Sequence, residues 1–449
     1  MLRPPSKVPR LSCTRTTPQP RLNLGQSSGL TYDLRVTMKP NPGIPARFRN
    51  LLWGQSSVTF GAVVLEVALP LLAAVTLNAS PAQMGLLATL QTLPWLVITL
   101  FAGVWIDQGS PKRIMTWANY GRGVLLLSIP LAGWLGWLSI EWLWVVAFAY
   151  GMLRVFFELS VSAFLPSIAE REQLVAANSQ LESSRQVATV AGPGVAGLLV
   201  QAVGAPLTVL LNVLLYWVSA FLINRIPSSE TQKVRNPKLI FSEIGEGLRL
   251  VFSDAYLRAL VLSSATFNLH IGMLAGLQIL FLNRILQIPP AWIGVIFGVV
   301  GLGALIGALT ASRFTAWLGT GGIIIRMQLI SSLTGVAFAL VLAPPLLAAV
   351  LVSLILFIKA VSTVVRNVNA VSIRQARTPR HLLGRVGGTS QFVGIGLGSL
   401  GGILGGLLAE WLGIREATLI AGLIAMFSFT WLFFSPIRNL KDLPEPLEG

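Results

Sequence analysis

Five ionisable side chains interrupt long apolar stretches of the sequence, and they are the residues whose types could do chemistry there. They are Glu66, Arg154, Glu158, His270 and Lys359. Ionisable groups inside bilayer spans are costly and usually face a cavity, where they bind a ligand or transfer an ion. A carboxylate in such a cavity can take up and release a proton as its surroundings change. Glu66 is therefore the first candidate for a proton-binding site.

The other four residues allow more than one interpretation. Arg154 and Glu158 are four residues apart, so they share one helical face and can form an ion pair. Lys359 is either a partner of Glu66 or a contact for an anionic group of a ligand. All five can also be read as structural pairs that neutralise one another, and for His270 a hydrogen-bonded packing role is favoured.

The elements that carry these residues are predicted to be membrane-spanning helices. Hydrophobic residues make up 54% of the 449-residue chain and charged residues 11%, against roughly 45–50% and about 25% in soluble domains. With about 20 residues per span, the sequence predicts an all-α membrane protein with twelve spans. The spans lie near 51–77, 83–106, 114–138, 142–165, 181–203, 206–226, 257–282, 292–312, 321–342, 345–365, 391–412 and 417–436.

The positive charges predict the orientation of these spans. Thirteen Lys and Arg residues, Arg366 among them, are assigned to loops on the side of the chain termini, whereas the other side has Arg284 and Arg415. Because cytoplasmic loops carry the excess of Lys and Arg, both termini are expected in the cytoplasm of a multi-pass protein of the plasma (inner) membrane. Arg122 and Arg185 are expected to reach from their spans to water near that face.

A long central loop divides the spans six and six. The predicted organisation is a six-helix bundle over 46–226, a cytoplasmic linker over 227–256, a second six-helix bundle over 257–437 and a tail over 438–449. Apolar residues at helical intervals within 241–252 predict an interfacial helix in the linker.

Segment 192–199 aligns with 401–408, an internal repeat with an offset of 209 residues. Residues 1–45 are basic and rich in Pro, and they are expected to be disordered, with Met38 as an alternative start.

Two local motifs connect this layout to a known family. The turn after span 2 reads Gly103-Val-Trp-Ile-Asp107-Gln-Gly-Ser-Pro-Lys112-Arg113. It resembles the Gly-x-x-x-Asp-Arg-x-Gly-Arg-Lys/Arg signature of the major facilitator superfamily, with a Gln in place of the first Arg. In span 5, Gly192-Pro193 followed by Ala196-Gly197 resembles the Gly-Pro-x-x-Gly-Gly motif of antiporters, with an Ala in place of one Gly. The resemblance runs from about 47 to 437. Segments 47–55, 165–168 and 174–178 look like the branch that holds macrolide-efflux proteins and the enterobactin exporter.

The resemblance implies a fold and a function. The implied fold has two six-helix bundles around a central cavity, and the turn after span 2 would form a cytoplasmic gate. The implied function is proton-coupled export of amphipathic small molecules of drug, macrolide or siderophore type by alternating access. Protons would be the counter-ion, no cofactor is expected, and a monomer is expected in the lipid bilayer. The alternative is uptake or flipping of an anionic metabolite or lipid by the same fold.

Other classes of protein are disfavoured. The net charge of +16 is spread over a tail and short loops, whereas nucleic-acid binding requires basic residues gathered on one surface. The two histidines, His270 and His381, fall in separate elements without a nucleophile or metal-ligand partner, so an enzyme is not expected. The single cysteine, Cys13, provides neither a disulfide nor a cysteine metal site.

Overall fold

The computed structural model describes residues 46–168, 174–227, 237–379, 382–442 and 444–445. The predicted disorder of residues 1–45 therefore lies outside the described residues. Within these ranges the chain forms thirteen α-helices and no strand, which confirms the all-α prediction. The helices are α1 (Ala46–Leu71), α2 (Pro81–Gln108), α3 (Pro111–Trp134), α4 (Ile140–Ile168), α5 (Leu174–Val203), α6 (Ala205–Asn224), α7 (Pro237–Ser253), α8 (Ala255–Leu280), α9 (Pro290–Leu318), α10 (Thr320–Ala339), α11 (Pro345–Arg377), α12 (Leu383–Leu412) and α13 (Ile414–Phe433).

Ten of these helices are long and apolar enough, by length and composition, to cross a membrane. Among the described residues, α2, α3 and α7 do not belong to the ten. Helix α7 has 17 residues and covers the segment where the sequence predicts a linker helix, and its place at the membrane surface stays a prediction. The chain is thus a multi-pass membrane protein, while the count of twelve spans stays a prediction.

The prediction placed the end of one span too early. The tenth predicted span stops at 365, but α11 continues to Arg377. Arg366, assigned to a loop by the sequence, lies inside this helix and is only 4% exposed. Arg and Asn residues lower the hydropathy beyond 365, so the predicted span ends there. Hydropathy reports contact with lipid, whereas the helix continues through backbone hydrogen bonds.

Capping residues explain why several helices begin where they do. Before α2, the Ser80 amide donates to Gln83 Oε1 at 2.8 Å and the Gln83 amide donates to Ser80 Oγ at 3.3 Å. This reciprocal arrangement is a capping box. Ser110 caps α3 by accepting a hydrogen bond from the Arg113 amide, and Asp254 caps α8 by accepting from two amides. Each cap satisfies amides that the first turn of a helix leaves without a partner.

The helices before and after α7 pack in the same pattern. In the first group, α1–α6, helix α1 packs on α5 and α6, α3 packs on α4 and α6, and α2 packs on α4. In the second group, α8–α13, helix α8 packs on α12 and α13, α10 packs on α11 and α13, and α9 packs on α11. Each of these contacts in the second group corresponds to one in the first group, with α8–α13 in the places of α1–α6. The internal repeat predicted from the sequence is therefore present in the packing.

Backbone details follow the same repeat. Helices α1 and α8 both end in a π-helical turn, Leu72–Thr76 and Phe281–Ile285. Each turn precedes a non-glycine residue with positive φ, Asn78 at 50° and Gln287 at 53°. These two residues are 209 residues apart, which is the offset of the aligned glycine-rich segments.

Glycines bring the two helix groups together. A Cβ on Gly85 of α2 would lie 2.3 Å from the Gly402 carbonyl oxygen of α12. A Cβ on Gly197 of α5 would lie 2.3 Å from the Gly294 Cα of α9. Small residues let helix backbones approach closely in this way. Both contacts lie in the half of each helix that is distant from the chain termini, so the groups meet at the end of the molecule opposite the termini.

Substitution of Gly85 tests this contact. We expect Gly85→Ala to lower the stability of the purified protein by about 1–3 kcal/mol, because the added methyl group meets backbone and not a movable side chain. Thermal unfolding in detergent measures the change. Gly194→Ala is the matched control, since a Cβ there meets nothing within 4 Å and alanine favours a helix by about 1 kcal/mol. Equal melting of Gly85→Ala and the unsubstituted protein would contradict the assignment.

Candidate functional site

A cavity of about 320 Å³ lies between the two helix groups. Its walls come from α1, α2, α4 and α5 of the first group and from α8 and α9 of the second. The polar side chains of the lining are Glu66, Gln91, Thr92, Arg154 and Gln278. The remaining wall is apolar and includes Val63, Val67, Pro70, Met84, Leu87 and Phe297. A mostly apolar pocket with a few convergent polar groups is the usual form of a small-molecule site.

Arg154 lies between two carboxylates at this cavity. Its Nη1 atom donates to Glu66 Oε1 at 3.3 Å, and its Nε atom donates to Glu158 Oε1 at 2.9 Å. Two different nitrogens are used, so both ion pairs exist at once. The side chain of Glu66 is 54% exposed and that of Arg154 is 30% exposed. The three groups carry one net negative charge when all are ionised.

The ion-pair partner of Glu66 in the structure is not Lys359, which was one of the two roles considered for that lysine. Arg154 and Glu158 form the ion pair that their spacing allows. The same Arg154 also pairs with Glu66, which lies 88 residues earlier in the chain. The idea that Lys359 is the partner of Glu66 is wrong for this structure, since the ion pair of Glu66 is made with Arg154. Sequence spacing revealed the pair within α4 but could not reveal which distant helix faces it.

His270 and Lys359 form a separate pair in the second helix group. The Nδ1 atom of His270 lies 2.7 Å from the Ala421 carbonyl oxygen, so it donates a hydrogen bond to that oxygen. This leaves Nε2 to accept from Lys359 Nζ at 2.8 Å. His270 is fully buried. Both of its ring nitrogens therefore have partners, as a packing role requires.

The structure thus divides the five predicted residues between two clusters. Glu66, Arg154 and Glu158 form the first, beside the cavity, and Glu66 and Arg154 line its wall. His270 and Lys359 form the second, and neither belongs to the lining of the cavity between the groups. That all five residues face one central cavity stays a prediction, and in this structure His270 of α8 contacts the Ala421 carbonyl oxygen of α13.

The turn after α2 is described only in part. The side chains of Asp107 and Gln108, and the surroundings of Gly103, lie outside the described residues. Lys112 and Arg113 lie in the first turn of α3, which begins at Pro111 after the Ser110 cap. The basic pair is therefore placed by a helix start, and its role in a gate stays a prediction.

The glycine-proline motif of α5 faces two helices. A Cβ on Gly192 would lie 2.7 Å from Val63 of α1, and Gly197 approaches Gly294 of α9. Pro193 lines the cavity, and Ala196 is fully buried. The motif therefore joins the two helix groups directly beside the cavity.

The sequence interpretation missed two polar residues of the cavity. Gln91 and Gln278 lie in α2 and α8 and contribute amide groups to the cavity wall. A polar amide inside an apolar span was the available signal. Arg122 was also misplaced, because it was expected to reach water but is 1% exposed.

The surroundings of Arg122 explain its burial. Its guanidinium lies over the rings of Phe157, Tyr216 and Tyr150, at 4.4, 4.8 and 5.9 Å from their centroids. It also donates to Asn119 Oδ1. Cation–π contacts of this kind stabilise a guanidinium that has left water. The two tyrosine hydroxyls are 2.6 Å apart and continue the network toward α4.

With this fold and cavity established, comparison with known proteins identifies the class. A family model of major facilitator type, described as a transmembrane secretion effector, matches residues 44–445. Because the match covers most of the chain, the protein belongs to this family. It is a transporter and not an enzyme.

Individual relatives are distant. The multidrug efflux pump Tap of Mycolicibacterium fortuitum is 24% identical over 382 residues, which is 82% of this chain and 91% of Tap. Tap of Mycobacterium tuberculosis (strain ATCC 25618 / H37Rv) is 26% identical over 383 residues, covering 82% and 88% of the two chains. A crystal structure of the nucleoside transporter NupG superposes with a TM-score of 0.73 over 86% of this chain and 99% of NupG, at 13% identity. The last likeness shows a shared fold.

The aromatic environment of Arg122 can be tested by conservative substitution. We expect Arg122→Lys to lower stability by about 1–3 kcal/mol, because an ammonium cannot stack on three rings and is more strongly hydrated. The midpoint of thermal unfolding in detergent measures the effect. Arg185→Lys is the control, since Arg185 is exposed and should tolerate the change. If both variants melt alike, the rings do not stabilise the guanidinium.

Proposed function

We propose that the protein is a proton-coupled exporter of amphipathic small molecules, in which Glu66 binds the transported proton. The observation that carries this proposal is the position of Arg154 between Glu66 and Glu158 at the cavity. Arg154 and Glu158 neutralise each other whether or not Glu66 holds a proton. Protonation of Glu66 therefore changes the net charge of the cluster from −1 to zero without leaving a buried cation unpaired.

Glu66 is better suited to proton binding than Glu158. Its contact to Arg154 is the longer of the two, at 3.3 Å against 2.9 Å, and its side chain is the more exposed, at 54% against 37%. A longer contact costs less to weaken, and exposure to the cavity gives the proton a route from water. Both features make Glu66 the better candidate for the proton site.

Alternating access follows from the contacts between the helix groups. In our proposal, α1–α6 and α8–α13 are two six-helix bundles of a twelve-span protein, and α7 lies along the membrane surface between them. The glycine contacts of α2 with α12 and of α5 with α9 close the end opposite the termini. If both termini are cytoplasmic, this conformation faces inward. The opposite conformation requires these contacts to separate and the turn at Gly103, Asp107, Lys112 and Arg113 to close the other end.

The cavity also supports the class of substrate. Its wall is mostly apolar, and its amides, Gln91 and Gln278, can bind neutral polar groups. Relatives described as multidrug efflux pumps share this family. Together with the motif Gly192, Pro193, Ala196 and Gly197, these features favour export of drug-like compounds through the inner membrane by a monomer.

Uptake or flipping of an anionic molecule is the weaker candidate. It depended on two cations, Arg154 and Lys359, as contacts for the anion. Arg154 already pairs with two carboxylates, so it does not offer free positive charge to a ligand. Of the two cations, Lys359 remains as a candidate contact for an anionic ligand.

Replacement of Glu66 tests the proton coupling. We expect Glu66→Gln to reduce export driven by a pH gradient in proteoliposomes by at least tenfold, because the amide cannot bind and release the proton. Exchange of labelled for unlabelled compound without a gradient should continue. Transport of a fluorescent amphipathic cation or neutral dye provides the measurement.

Two matched variants complete this experiment. Glu158→Gln removes the other partner of Arg154 and should retain gradient-driven export at a reduced rate. Glu141→Gln changes an exposed carboxylate at the start of α4 and should have no effect. Full gradient-driven export by Glu66→Gln would refute the assignment of the proton site.

Labelling of single cysteines tests the orientation. In a Cys13→Ser background, we expect Trp137→Cys to react with a membrane-impermeant maleimide in intact cells, because residue 137 is exposed between α3 and α4. Lys441→Cys, after α13, should react only after lysis. The reverse pattern would place the termini outside.

A further inference from the structure

A second cavity lies within the second helix group, at the end nearer the chain termini. It has a volume of about 390 Å³ and is lined by α8, α11 and α12. The residues from α8 and α12 belong to the first half of each helix, and those from α11 belong to its last turns. This cavity is therefore separate from the one beside Glu66, and the proposed transport cycle does not use it.

The second cavity has one charged residue in its lining, Arg374. None of the described residues forms an ion pair or a side-chain hydrogen bond with the Arg374 guanidinium. Nearby polar groups are Ser264, Gln391 and Asn268. Asn268 uses its amide to donate to the Ser264 carbonyl oxygen at 2.8 Å. The lining thus combines a cation and neutral polar groups with leucine, valine and isoleucine side chains, and it contains no carboxylate.

A second arginine lies two turns deeper on the same helix. Arg366, Ala370 and Arg374 are spaced by four residues, so they follow one face of α11, and Ala370 lines the cavity. Arg366 is 4% exposed, and its Nε atom is buried without a hydrogen-bond partner among the described residues. Its Nη2 atom donates to Asn367 at 2.6 Å, and its guanidinium lies 5.0 Å from the Phe267 ring centroid. These are neutral partners.

One ring and one amide, as at Arg366, compensate a buried cation less than the three rings and the amide around Arg122 do. A charge removed from water requires an opposite charge or a full set of hydrogen bonds. In the first helix group Arg154 has two carboxylates. In the second group Lys359 has a histidine, and Arg366 has an asparagine and a ring. Cations without a carboxylate partner on one face of α11 create a positive potential that favours an anion.

We infer that the cavity at Arg374 is a binding site for an anionic group, a carboxylate or a small inorganic anion. Arg374 and Gln391 bind the anion at the end of the cavity nearer the chain termini. Arg366, which lies two turns further from the termini on α11, contributes positive potential. The apolar walls accommodate a hydrocarbon group attached to a carboxylate. The inference rests on the chain being a transporter and is independent of the proton site.

Binding measurements on the full-length protein in detergent test this site without any gradient. The probe is sodium benzoate, and benzamide is the uncharged isostere. We expect saturable benzoate binding by calorimetry and none for benzamide. Arg374→Gln should weaken benzoate at least tenfold, as expected for loss of a charge-assisted hydrogen bond, and Arg374→Lys should restore part of the affinity.

Two further variants guard against indirect effects. Arg313→Gln removes an exposed cation at the terminal-side end of α9, outside the cavity, and should leave benzoate affinity unchanged. Gly394→Leu places a side chain into the cavity, where Gly394 is part of the lining, and should block binding while Arg374 remains. This variant keeps the test valid if Arg374→Gln does not fold.

Competition then identifies the source of the anion. Displacement of benzoate by millimolar chloride or phosphate would assign the site to an inorganic anion. Lack of displacement would assign it to an organic carboxylate. No saturable benzoate binding, equal affinity in Arg374→Gln, or an equal loss in Arg313→Gln would overturn the inference. These outcomes leave the Glu66 proposal untouched, since that proposal fails only if Glu66→Gln exports normally.

Discussion

The close approach of glycine backbones between the two helix groups is the constraint on which the rest of the structure depends. Lipid provides little hydrophobic force to drive helices together, so packing of small residues must do so. Gly85 against Gly402 and Gly197 against Gly294 fulfil this requirement on both sides of the repeat. The cavity beside Glu66 exists because these contacts close the structure next to it while larger side chains keep the helices apart elsewhere.

The cavity then determines what the charged residues can do. An ion pair fully enclosed by protein would be fixed, whereas Glu66 is half exposed and Arg154 a third exposed. The pair is therefore accessible from the cavity. The aromatic enclosure of Arg122 shows the opposite case, in which a cation fully removed from water is held by rings and an amide and has no route to solvent.

Much of the fold could be predicted from the sequence, and the reasons are physical. Apolar stretches long enough to cross a bilayer mark helices such as α6 and α13 to within three residues at each end. Glycines with positive φ, Gly204 and Gly413, directly precede these two helices. The extension of α11 beyond 365 could not be predicted, because hydropathy does not report helicity outside lipid. The pair of Arg154 with Glu158 follows from helical spacing. The contact of Arg154 with Glu66 and of Lys359 with His270 depends on which helices become neighbours, and no local pattern encodes that.

The repeated packing has a consequence for how such a protein can change over evolutionary time. Residues that fix the architecture, such as the glycines and the π-helical turns, recur at equivalent places in both groups. Several residues that carry charge do not: the position equivalent to Glu66 is Ala275, and the position equivalent to Arg374 is Leu165. A duplicated scaffold of this kind can acquire new polar residues in one copy while the other copy stays unchanged. Diversification of specificity within the family then requires few substitutions and no redesign of the fold.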